Sequence, residues 1–73
     1  MDINLKIGER IRDLRKAKDI SQEALANIAD IDRTYMTGVE NGNRNVSVKI
    51  LEKIIIALGT NYKTFFNDKS FEV

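Results

Sequence analysis

Cysteine, histidine, proline and tryptophan are all missing from this chain. Without cysteine there is neither a disulfide framework nor a thiolate metal site. Without histidine the commonest general base and another usual zinc ligand are gone, so an enzyme reading would rest on carboxylates and lysines alone. No acidic pair stands at metal spacing on an inward face, and GVENGNRN lacks the lysine and the layout of a phosphate-binding loop. Neither an enzyme nor a metal, cofactor or small-molecule ligand is expected. Long apolar runs are absent as well, and the start MDINLKIGER has no basic head or apolar core of a signal peptide. A soluble, cytoplasmic protein without a membrane partner is expected. Finally, neither charge sign dominates: 12 Lys and Arg stand against 11 Asp and Glu, a net charge of +1. Any argument for nucleic acid must therefore come from a basic face rather than a basic total.

What is present is helix-forming material. Ile, Leu, Ala, Lys and Glu recur at helical rather than alternating spacing, which predicts an all-α fold. The 73 residues form one domain, 1–73, whose core is small enough that a second subunit would add useful stability. Five helices are expected, at about residues 5–18, 21–29, 32–40, 47–58 and 61–67. The first puts Ile7, Ile11 and Leu14 inward and Glu9, Arg10, Arg12, Asp13 and Lys16 outward. Ser21, Asp32 and Ser47 are N-cap types ahead of the next three, and Asn41 and Gly42 suit the end of the third. Leu25, Ala26 and Ala29 face inward on the second helix, with the small Ala26 allowing close approach. In the fourth, Val48, Leu51, Ile55 and Leu58 share one face, with Ile50, Ile54 and Ala57 beside it and Ile56 pointing elsewhere. The tail, residues 68–73, is expected to be loose, with Phe71 and Val73 available to dock. So many short helices imply near-perpendicular packing rather than an up-and-down bundle.

The third helix is the unusual one. Met36 and Val39 anchor it, with Tyr35 at the edge of their side, while Arg33, Thr34, Thr37 and Gly38 occupy the opposite arc. A merely solvated helix would favour Glu, Lys and Ala there, since threonine and glycine are weaker helix formers. Short hydroxyls, a bare glycine and an arginine suit a DNA major groove, where arginine grips guanine O6 and N7 and threonine meets either a polar edge or a thymine methyl. An ordinary exposed surface is the alternative. The context favours the groove: a helix ending at Ala29, a turn of about three residues and then this helix have the spacing of a helix-turn-helix. Gln22 then sits at the N-terminus of the bracing helix, where free N–H groups and the helix dipole favour a phosphate.

The run LRKAKDISQEALANIADIDRTYMTGVENGNRNVSVKILEKIIIALG resembles the Cro and lambda-repressor-like, or xenobiotic-response-element, helix-turn-helix family over about residues 7–66. Its DRTYMTGVENGNRN wording is most similar to the controller proteins of restriction-modification systems. The resemblance implies a compact five-helix DNA-binding domain acting as a dimeric transcriptional regulator that activates or represses its own promoter, with RNA polymerase a further partner. It makes Arg33, Thr34, Tyr35, Thr37 and Arg44 the base contacts. Arg15, Gln22, Asn43, Asn45 and Lys49 become contacts to the DNA backbone. It also pairs Arg15 with Glu40. Asp30 stands where members often have glycine, in a turn that Asp can keep by adopting the left-handed conformation. Val46 stands where many have proline, which leaves the loop freer around Arg44 and Asn45.

The apolar arc of the fourth helix is wider than one small core requires. A second contact is expected, most simply a twofold dimer through Ile50, Ile54, Ile56, Tyr62, Phe65 and Phe66, reading a pseudo-palindromic double-stranded site. Complete cover by the fifth helix is the alternative. A protein-interaction module of antitoxin type and a phage-type repressor are the competing functions.

Overall fold

The structure, a computed structural model, describes residues 2–72. It holds α1 (Ile3–Ala17), α2 (Gln22–Ala29), α3 (Arg33–Glu40), α4 (Val48–Ala57) and α5 (Tyr62–Phe66), followed by one 3-10 turn, Lys69–Phe71. There is no strand among the described residues, and no helix is long and apolar enough to cross a membrane. α1 packs on α3, α2 packs on both α3 and α4, and α5 closes over α4.

Each helix starts where a short polar side chain replaces the bonds that its first N–H groups lack. Asp2, Ser21, Asp32, Ser47 and Asn61 accept from the N–H groups of Asn4, Ala24, Tyr35, Ile50 and Thr64, at 2.8–3.1 Å. The Asp2 cap explains why α1 begins two residues earlier than expected. α2 stops because Asp30 turns into the left-handed region at φ 56°, where its own N–H and that of Ile31 return to carbonyls of α2. The helix-turn-helix bend expected from the sequence is thus made by an aspartate, not a glycine.

The core is continuous: Ile7 and Ile11 of α1, Leu25 and Ala26 of α2, Met36 and Val39 of α3, and Ile54, Ile55 and Leu58 around α4 meet Phe65 of α5. Ile54 and Phe65 were expected at a dimer surface, yet both are fully buried within one chain. α4 is flanked by α2 and α5, so it buries two adjacent isoleucines where one neighbour would bury a single stripe. Val48 departs in the other direction: expected inward, it is 85% exposed as the first helical residue of α4.

Arg10 and Arg12, read as solvated, are tertiary ties instead. Arg10 donates to the carbonyls of Phe65 (2.7 Å) and Thr64 (2.8 Å), satisfying the end of α5, and stands 3.6 Å from Asp68. The Ser70 hydroxyl and N–H on Asp68, with Arg10 beside it, hold that carboxyl below the usual range. The tail is therefore not loose. Phe71 stacks edge-on against Phe66 and lies over Phe65, whereas Val73 lies outside the described residues.

Gly8 sets the distance between α1 and α3. A Cβ there would come within 2.5 Å of the backbone carbonyl oxygens of both Val39 and Glu40. Neither oxygen can swing aside, so the helices would have to separate and the core would open with them. Gly8→Ala should lower stability by about 1–3 kcal/mol or more, despite the better helix propensity of alanine. A fall in the urea midpoint is the expected measurement; an unchanged or higher midpoint would contradict this crossing.

Candidate nucleic-acid interface

α3 is oriented from behind by a buried carboxylate. Glu40 is 1% exposed and accepts two bonds from Arg15, from Nε at 2.9 Å and from Nη2 at 3.0 Å. A second guanidinium, that of Arg12, stands 3.7 Å away and donates to the Glu40 carbonyl and to Asn41 Oδ1. Two positive charges at the C-terminal end of α3 oppose the negative end of its dipole. Arg15 Nη1 also donates to the Ile20 carbonyl at 3.0 Å, so a single side chain joins α1, the turn before α2 and the end of α3. With its side chain 12% exposed and its donors on Glu40 and Ile20, Arg15, which was also expected at the DNA backbone, is committed in the free chain to holding the end of α3.

The opposite side of α3 is open. Arg33 and Thr34 are exposed, and Tyr35, Thr37 and Gly38 are partly so. Thr37 is less free than the sequence suggests. Its hydroxyl lies 3.0 Å from the Arg33 carbonyl and 2.7 Å from the Gln22 amide. One hydroxyl proton serves one acceptor at a time, and of the two the Gln22 amide oxygen is the nearer. With its proton engaged, what Thr37 offers outward is its methyl and its acceptor lone pairs. Gln22, expected only as a phosphate ligand, is also the clip between the two helices of the motif. Arg33 has a partner that sequence reasoning missed: Glu23 Oε2 is 3.6 Å from its Nη1, with both side chains exposed.

The loop after α3 is held rather than free. Asn43 N–H donates to the Gly38 carbonyl at 2.8 Å, and the Tyr35 hydroxyl donates to the Asn45 carbonyl at 3.3 Å. Asn45 Oδ1 accepts from Asn4 Nδ2 at 2.6 Å, a tie from the first turn of α1 that no local pattern announces. Val46, in the place of the family's proline, packs against the core. The Arg44 guanidinium stands over the Tyr35 ring, 5.5 Å from its centroid, so this arginine lies on the α3 surface. Asn43, Asn45 and Lys49 are all exposed, Lys49 in the first turn of α4. Among the described residues there is no cluster of acidic groups fit to hold a metal.

A second exposed surface lies away from α3. Ile56 (67%), Tyr62 (53%) and Phe66 (41%) stand out from α4 and α5, and Ile50 is half-buried. The Tyr62 hydroxyl donates to Glu52, which raises the phenol above its usual value and keeps it protonated. Ile56 also lines a shallow groove of about 280 Å³ with Ile28, Ala29, Asp30, Lys53 and Ala57.

A family model described as helix-turn-helix matches residues 11–65. The control protein C.MunI of Mycoplasma sp. is 47% identical over 68 residues, which cover 92% of each chain. The crystal structure of the restriction-modification controller protein C.AhdI from Aeromonas hydrophila superposes with a TM-score of 0.82 at 44% identity, covering 86% of this chain and 96% of that one. The restriction-modification controller protein C.Esp1396I, solved as a tetramer in complex with its natural 35 base-pair operator, has a TM-score of 0.83 at 36% identity and covers 86% and 83%.

Removing Arg15 takes both hydrogen bonds from the buried Glu40 carboxylate and leaves it only the more distant Arg12 guanidinium, 3.7 Å away. Arg15→Ala should cost about 3–5 kcal/mol, close to the whole stability of a small domain, and should abolish or sharply lower the cooperative urea transition. Arg15→Met combined with Glu40→Leu should recover most of it. If the single variant melts like wild type, the pair does not hold α3.

Proposed function

Because the chain belongs to the helix-turn-helix family, and is similar over most of its length to restriction-modification controller proteins, we propose that it is a sequence-specific DNA-binding transcriptional regulator. It acts as a homodimeric controller that binds pseudo-palindromic operators and governs its own promoter. The observation that carries this reading is the outward face of α3: exposed Arg33 and Thr34, the half-exposed Tyr35 and the Arg44 guanidinium form one surface, on a helix whose other side is locked by Arg15 and Glu40.

In the complex α3 enters the major groove with its N-terminal residues against base edges. Arg33 leaves Glu23 and takes a guanine edge; Thr34 and the Thr37 methyl meet neighbouring bases; Arg44 reaches a base or a phosphate beside them. Gln22, Asn43, Asn45 and Lys49 form the phosphate rim that sets the register. Both partners of the Arg33–Glu23 pair are exposed, so its loss costs little against a bidentate base contact.

One chain measures 32 × 23 × 20 Å and carries one such helix. Two half-sites about 34 Å apart therefore call for two chains related by a twofold axis. The exposed Ile56, Tyr62 and Phe66, with Ile50 at their border, supply the apolar surface for that contact. Control then follows concentration: dimerisation and operator binding are coupled, and RNA polymerase is the partner through which bound protein activates. In vitro transcription from the upstream promoter, titrated with protein, separates activation from repression.

Arg33→Ala should lose about 1–3 kcal/mol of preference for operator over random DNA; an equal loss on every sequence would make Arg33 a phosphate ligand. Binding should weaken steeply with salt through the phosphate rim, and no shifted band at micromolar protein would overturn the DNA reading. Ile56→Lys should move the protein to monomer in sedimentation equilibrium at tens of micromolar, where wild type is dimeric. A wild-type monomer at that concentration would refute the interface.

A further inference from the structure

Gly38 sits in the last turn of α3, two residues before its end, and no positive φ requires a glycine there. In such a position glycine costs roughly 1 kcal/mol relative to alanine, so some contact must exclude the methyl group. Against DNA, a bare helix surface would let the backbone approach the bases. The free protein offers a different reason. A Cβ at Gly38 would lie 2.6 Å from Arg44 Cγ, 3.3 Å from its Nε and 3.5 Å from its Cδ. The arginine stem therefore crosses α3 directly over Gly38, and its guanidinium continues over the Tyr35 ring. Tyr35 and Gly38 are three residues apart, hence neighbours on the helix surface; together they form the floor and one wall of a channel. The loop is tied into this channel from both sides of Arg44, by Asn43 N–H on the Gly38 carbonyl and by the Tyr35 hydroxyl on the Asn45 carbonyl.

We propose that Gly38 is a specificity-positioning residue: its bare Cα seats the Arg44 stem, so that a loop arginine becomes part of the α3 reading surface before DNA is bound. The inference rests on the proposed DNA-binding role of this face. The clash falls on Cγ, near the base of the side chain, so a methyl at Gly38 cannot be avoided by moving the guanidinium alone; Arg44 must change its first torsion and leave the ring. Preorganisation of this kind removes the ordering cost of a long side chain from the binding step.

Gly38→Ala, Arg44→Ala and the double variant test this in three measurements. In the free protein, ring-current shifts of the Arg44 δ and ε protons from Tyr35 should be present in wild type and lost in Gly38→Ala. The urea midpoint of Gly38→Ala should equal or exceed that of wild type. Operator preference over random DNA should fall in Gly38→Ala toward that of Arg44→Ala, by about 5- to 150-fold for a lost base contact, and Gly38→Ala should add no further loss in the Arg44→Ala background. An equal loss in both backgrounds would mean that Gly38 itself lies against DNA, and would overturn the proposal. Unaltered ring-current shifts, or wild-type operator preference in Gly38→Ala, would overturn it too. If the wild-type protein prefers no DNA sequence at all, the functional reading of the face fails and the inference falls with it, while the shifts still report where Arg44 lies.

Discussion

The carboxylate of Glu40, buried at the α1–α3 crossing and gripped by Arg15, is the contact on which the outward face depends. An ion pair in that position contributes little net stability compared with well-packed apolar groups, because both charges must leave water. Its contribution here is orientation. The planar guanidinium favours one alignment of the carboxylate, and its third donor reaches the carbonyl of Ile20, so α3 cannot roll on α1 without breaking both bonds to a side chain that is itself held in place by the turn before α2. Gly8 completes the arrangement by letting the Val39 and Glu40 carbonyls lie against α1.

With the back of α3 locked, its front is assembled from pieces that are separate in sequence. Thr37 is clipped to Gln22 of α2, Arg33 rests against Glu23, and Arg44 arrives from the loop to lie over Gly38 and Tyr35. The consequence is a division of labour along one short helix. Met36, Val39 and Glu40 point inward and hold it, while Arg33, Thr34 and Arg44 are left exposed. Weak helix propensity in DRTYMTG is thus compensated by tertiary bonds, which is how a segment with two threonines and a glycine remains helical.

The α4–α5 side follows a different logic. Arg10 closes the end of α5, and the tail returns Phe71 onto Phe65 and Phe66. The monomer core is therefore complete at Ile54 and Phe65, and the apolar residues still exposed lie outside it. Ile56, Tyr62 and Phe66 remain exposed, and the Tyr62–Glu52 bond keeps the phenol hydroxyl satisfied.

Much was legible in local pattern. The caps at Ser21, Asp32 and Ser47, the helical-period core and the short turn between α2 and α3 depend on neighbours in sequence, and residue type specifies them. The polar arc of α3 and the left-handed Asp30 belong to the same class, since each is a choice made by a few consecutive residues. What local pattern could not carry was the partner of each long side chain. Arg10 and Arg12 read as solvated because a wheel shows direction and not what waits there; Ile54 and Phe65 read as surplus because α4 is covered from two sides. Gly8 and Asn4 carried no local signal beyond a glycine inside a helix and an asparagine at its start. The sequence by itself determined the helices, their ends and which face of α3 stays polar, through capping and periodicity. Only the tertiary structure decided which charges are buried, which isoleucines remain outside and where Arg44 points, because those depend on contacts between residues far apart in the chain.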